Sequence, residues 1–139
     1  MTGLRPWCRA AAIISLLGAT GPLGARTWTV EPGGRTSGIT AAIGAAQAGD
    51  TVRVLAGTYA EGIITIDKPL VLIGVGRPLI DGAEKGDVII IEAPNVVVQG
   101  FRITGTLVSN INDNAAIKVK KSDHVQLIDN IVERAFFGI

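Results

Sequence analysis

The chain has 139 residues, 47% of them hydrophobic and 18% charged, with 13 Lys and Arg against 12 Asp and Glu for a net charge of +1. That length holds one domain or part of one, and the composition excludes disordered, acidic-tail and collagen-like chains. No basic stretch is denser than Lys118-Val119-Lys120-Lys121, so no nucleic-acid partner is expected.

Residues 1–9 carry Arg5 and Arg9 and no acid, residues 10–19 are an apolar run, Thr20-Gly21-Pro22 breaks it, and Leu23-Gly24-Ala25 offers a small residue for cleavage. This layout predicts a secretory signal peptide over residues 1–25 and a mature domain over 26–139; the apolar run is too short to span a bilayer. Cleavage would leave 11 basic and 12 acidic residues, a net charge of −1, and would remove Cys8 and Met1, the single residue of each type. The mature chain is then expected to rely on packing and backbone pairing, without a disulfide. Next in the chain, Ile39, Ala42, Ile43 and Ala46 stand at helical spacing within residues 39–48, with Thr36 or Ser37 placed to cap the start and Gly49 the end.

The remainder repeats. Ile63-Ile64-Thr65-Ile66-Asp67-Lys68-Pro69 matches Val88-Ile89-Ile90-Ile91-Glu92-Ala93-Pro94, and Leu70-Val71-Leu72-Ile73-Gly74 matches Val96-Val97-Val98-Gln99-Gly100. Ile117-Lys118-Val119 and Val125-Gln126-Leu127-Ile128-Asp129 form a third copy, displaced by a polar insertion over residues 106–114, and Gly138-Ile139 echoes Ala116-Ile117. The units carry short β-branched runs with 18 Ile and 13 Val in the chain. Leucine-rich repeats need regularly spaced Leu and Asn, and propeller blades need about 40 residues or more. A parallel β-helix fits, each coil adding one strand to each of several parallel sheets, so that like residues stack in columns. Gly74, Gly100, Asp129-Asn130 and Gly138 fall at the corners, where a positive φ is expected. The Ala-rich helix is expected to cover the apolar interior of the first coil, and runs such as Val88 to Ile91 read as strands buried on both faces.

Thr29-Val30 before Pro32-Gly33-Gly34, the Ala-rich helix, Gly49-Asp50-Thr51-Val52-Arg53-Val54, Gly57-Thr58-Tyr59 and Lys68-Pro69-Leu70 resemble the opening of exported right-handed parallel β-helix proteins. With Ile80-Asp81-Gly82, Val98-Gln99-Gly100-Phe101-Arg102-Ile103 and Asp113-Asn114-Ala115-Ala116-Ile117, the chain is most similar to the NosD family, over Trp28 to Ile139. The resemblance implies a periplasmic, non-enzymatic accessory protein for copper-site maturation of nitrous oxide reductase. It implies as partners the membrane and ATPase subunits of an ABC-type transporter, and a copper chaperone or the reductase itself. Family members are longer, so the expectation is that this chain comprises their N-terminal coils. The absence of a Gly-Lys-Ser/Thr motif assigns ATP use to a partner.

Copper favours His, Cys and Met ligands, and the mature chain offers His124 as its single candidate metal ligand. Asp123 beside it would face the opposite side of a strand, and a His before Val125 reads equally as a solvated turn residue. Copper is thus implied by the resemblance alone, and any full ligand set is expected downstream or in a partner. The alternative is a polysaccharide-binding or -cleaving β-helix of the lyase or epimerase kind, needing carboxylates to hold calcium and a basic group to take a proton. Asp113, Asp123, Asp129 and Glu133 would supply the acids, and Arg102, Lys118, Lys120, Lys121 and Arg134 the bases. No spacing gives any of them a role, and Lys118 and Lys120 alternate with Ile117 and Val119 as an outward strand face does. The insertion over 106–114, with Leu107, Val108 and Ile111, reads equally as a contact surface, because solenoid insertions gather on the binding face, or as a segment folded over the flank of the sheet.

Overall fold

The computed structural model describes residues 24–33, 38–135 and 137–139. Most of the proposed signal peptide, and the cap candidates Thr36 and Ser37, lie outside the described residues. The rest is a parallel β-helix. Sheet 1 stacks β1 (Thr27–Val30), β2 (Thr51–Val54), β5 (Val71–Gly74), β8 (Val97–Gln99) and β11 (Gln126–Ile128) in that order. Sheet 2 stacks β3 (Thr58–Tyr59), β6 (Leu79–Asp81), β9 (Arg102–Thr104) and β12 (Ile131–Val132). Sheet 3 stacks β4 (Ile64–Ile66), β7 (Ile89–Ile91) and β10 (Ile117–Val119). Every pairing between these strands is parallel, as a chain winding through the three sheets in turn requires.

The register puts like residues over one another. Ile64, Ile89 and Ile117 form one column, and each is fully buried. Val52, Leu72, Val98 and Leu127 form a second column, and Ile80, Ile103 and Val132 a third. The repeat spacings read from the sequence are therefore the pairing offsets themselves. Burial alternates along most strands: Ile89 and Ile91 point inward and Ile90 is half-buried, as is Val97 beside buried Val98. The expectation of strands buried on both faces is thus corrected, because among the described residues no helical layer covers the sheets from outside.

The helix α1 (Gly38–Ala45) is shorter than expected and buries Ile39, Ala42 and Ile43. It packs on β1, β2 and β4, closing the apolar interior at the first coil. Its first N–H groups are satisfied by a residue of a later segment: the Glu61 carboxylate accepts from Ile39 N at 2.6 Å and Thr40 N at 3.0 Å. A carboxylate there also complements the positive end of the helix dipole. At the other end, Lys68 Nζ donates to the Ala46 carbonyl at 2.9 Å.

Asp50 ties the entry of the chain to this cap. Its nearly buried carboxylate accepts from Arg26 N (2.8 Å), Trp28 Nε1 (2.9 Å) and Gln47 N (2.9 Å). The bonds from the Arg26 and Gln47 backbone, then from the Trp28 indole, hold its pKa down from 3.8 to about 2. Each of them favours the ionised form.

The corners divide by mechanism. Gly100 has φ +82 and Asp129 φ +52, as the sequence predicts. Gly74 is not in the left-handed region; it is glycine because a Cβ there would lie 2.6 Å from the Gly100 carbonyl oxygen in the next coil. Gly138 has neither requirement. Asn130 bridges two coils, its side chain donating to Val98 O at 2.9 Å and accepting from Phe101 N at 3.1 Å.

Two outcomes follow from the packing. Ile89→Ala should cost about 3–4 kcal/mol in urea unfolding, whereas Ile90→Ala, on the outer face, should cost about 1 kcal/mol or less. Because the folded pKa of Asp50 is depressed, its contribution is fully present above 3.8 and is lost as pH falls toward about 2. Asp50→Asn should therefore lower the melting temperature at neutral pH and flatten the acid limb of the stability profile over that window.

Candidate functional site

His124 sits in the turn between β10 and β11 at φ +57, exposed, with Lys121 at φ +45 in the same turn. Asp123 is exposed too, and its carbonyl accepts from Asn95 N of the preceding coil at 3.0 Å. Among the described residues no three His, Cys, Asp or Glu side chains gather in a way that could hold a metal ion. A copper ion needs several soft or imidazole donors on one centre, and His124 presents a single one on a solvated turn. The described residues therefore do not fit a copper site.

The acids and bases expected to line one groove are distributed over different sheets and corners. Arg102, on β9, pairs with Glu133, just past β12, at 2.9 Å. Lys118, on β10, pairs with Asp87 at 3.0 Å and donates to Asp113 O at 2.9 Å, while Asp87 also accepts from Ala115 N at 2.8 Å. Lys120 pairs with Glu92 of the coil below at 3.4 Å. Arg77, at the corner after β5, reaches Asp129 at the corner after β11 with bonds of 2.8 and 2.9 Å and a third to its carbonyl at 3.0 Å. That pair is 52 residues apart in sequence and spans the intervening coil. Exposed pairs of this kind add roughly 0–1 kcal/mol each; what they do is neutralise one another along the columns. Arg77, Asp87 and Glu92 were not singled out from the sequence, and knowing the coil register would have found them, since each lies one or two rungs from its partner.

Arg134 lies in a depression beside the insertion. A groove of about 460 Å³ is bounded by Asp81, Glu84, Thr104, Thr106, Val108 and Arg134 where sheet 2 turns toward sheet 3. Register places Asp81 beside Thr104 on neighbouring strands. The corner loop after β6 holds two successive non-glycine residues in the left-handed region, Ala83 at φ +53 and Glu84 at φ +56. Asp81 Oδ1 accepts from Ala83 N at 2.9 Å, and Glu84 N donates to Gly105 O at 2.8 Å, which fixes that loop on the next coil. Asp81 also packs against Gly105, where a Cβ would collide with its carboxylate. Thr106 Oγ1 donates to Arg134 O at 3.4 Å across the groove floor. The side chains of Glu84 and Arg134 make no hydrogen bond or ion pair with any described residue. The arrangement brings both signs of charge and hydroxyl groups into one depression.

The insertion forms the wall of this groove through Thr106 and Val108, so the swelling of the repeat and the depression are one feature. Asp113 lies on the loop's far side, in a second depression of about 360 Å³ with Ala115, Ile117, Lys118, Val119, Phe137 and Ile139. Among the described residues no helix is long and apolar enough to cross a membrane.

No protein-family model matches this chain, and neither the curated proteins nor the solved structures give a significant match. Copper titration of the protein and of His124→Ala should give equal, weak uptake; a stoichiometric site lost in the variant would reverse the assignment of His124 to the solvated turn.

Proposed function

We propose that this chain is an exported, non-enzymatic β-helix accessory module for copper-site maturation of nitrous oxide reductase, working beside an ABC-type transporter in the periplasm. The observation that carries the reading is the run of NosD-like segments from Trp28 to Ile139, laid out on a parallel β-helix whose swelling borders a polar groove. The role that suits these residues is docking. The coils form a continuous platform, four outward ion pairs link successive coils, and Glu84 and Arg134 stand unpaired at the corner beside the insertion. In this reading copper is cargo, carried by partner ligands, because His124 stands as one exposed donor. ATP hydrolysis belongs to the transporter's own subunit.

Deleting the gene in the organism that carries it should make cells accumulate nitrous oxide, with the reductase exported but deficient in copper. Full copper content and normal nitrous oxide reduction in the deletion strain would overturn the reading. Incubation with pectate and alginate should release no unsaturated uronides; their release would place the chain among the polysaccharide-cleaving β-helices instead.

A further inference from the structure

The insertion departs from the usual behaviour of apolar residues in loops. Val108 is 66% exposed and Ile111 91% exposed, although the segment bearing them is anchored at both ends. Thr106 and Asn114, which bound it, are buried. Asn114 Nδ2 donates to Leu107 O at 2.9 Å, closing the loop at its neck, and Leu107 N donates to Gly86 O at 3.1 Å in the coil below. At the tip, Ser109 Oγ accepts from Ile111 N at 3.2 Å and Asn112 N at 3.3 Å. A loop with a fixed neck and an organised tip presents two aliphatic side chains to water at a recurring hydrophobic cost. A segment held in place before binding lowers the ordering cost of a contact made through such side chains.

The surroundings specify the occupant. Val108 shares its groove with Asp81 and Glu84, and Asp113 stands exposed on the loop beyond Ile111. Arg134 is the base in that groove. Lys118 is taken up by Asp87, and the stem of Lys85 lies over Gly62 of the preceding coil. Asp81, Glu84 and Asp113 against Arg134 and Lys85 leave the rim of the loop with a surplus of one negative charge.

We propose that the 106–114 loop is a docking plug, with Val108 and Ile111 entering an apolar pocket on a partner protein whose rim carries Lys or Arg facing Glu84 and Asp113. This contact does not depend on the maturation reading, although a transporter subunit or the reductase would be its occupant there. The acids steer and orient, and the aliphatic pair supplies the burial.

The test is site-specific photocrosslinking in cells that make the full protein. Benzoylphenylalanine replaces Val108 or Ile111, and separately Thr29 or Thr65 on the outer sheet faces as controls. The expected result is one protein captured from positions 108 and 111 and not from the controls, with the crosslinked site mapping beside Lys or Arg. Yield should fall with added salt and fall about tenfold or more when Glu84→Lys and Asp113→Lys are combined. The melting curve of the double variant checks folding, and Glu84→Gln with Asp113→Asn supplies a milder pair expected to give an intermediate loss. Yields at 108 and 111 no higher than at the controls, capture indifferent to charge and salt, or capture of lipid or of a second copy of this chain would each overturn the proposal. If the captured protein is unrelated to the reductase and the deletion strain still reduces nitrous oxide, the maturation reading fails and the docking plug stands.

Discussion

Each coil has to lie in register on the coil before it, and that requirement shapes nearly every other feature. A strand displaced by one residue would turn its inward side chains to solvent, so Ile64, Ile89 and Ile117 share a column or the interior does not form. Coils still differ in length, with offsets of 25 residues between Ile64 and Ile89 and 28 between Ile89 and Ile117. The extra residues have to leave at a corner, because inside the coil there is no room for them. The insertion, the left-handed corner residues and the close approach of Gly74 to Gly100 are consequences of that one demand.

The same register organises the surface. Outward side chains one rung apart lie about 4.8 Å from each other, which brings opposite charges into pairs such as Arg102–Glu133 and Lys120–Glu92. Such pairs contribute little to stability individually. Their effect is to neutralise these charges in place on the coil surface, while Glu84 and Arg134 keep unpaired side chains at the sheet 2 to sheet 3 corner, next to the loop that breaks the repeat.

At the first coil, tertiary partners replace local ones. The helix takes its N-terminal acceptor from Glu61 and a cation at its C-terminal end from Lys68. Asp50 gathers three donors from the entering chain and the helix exit. This end of the solenoid is therefore closed by carboxylates reaching across the turns as well as by apolar packing.

The amino-acid sequence by itself determined the architecture. Its apolar runs recur at the offsets that become strand pairings, and a buried column needs β-branched residues at one phase, which is visible in one dimension. It also marked the 106–114 swelling, since an insertion breaks a period wherever it falls. Only the tertiary structure decided which charges meet, because Arg77 and Asp129 become neighbours through two accumulated coil lengths that no local pattern reports. It likewise separated Ile90 from Ile89, identical in type and adjacent in the chain, by exposing one face of each sheet. The groove of Asp81, Glu84 and Arg134 belongs to the same class: its residues come from three successive coils, and their convergence depends on how the chain winds.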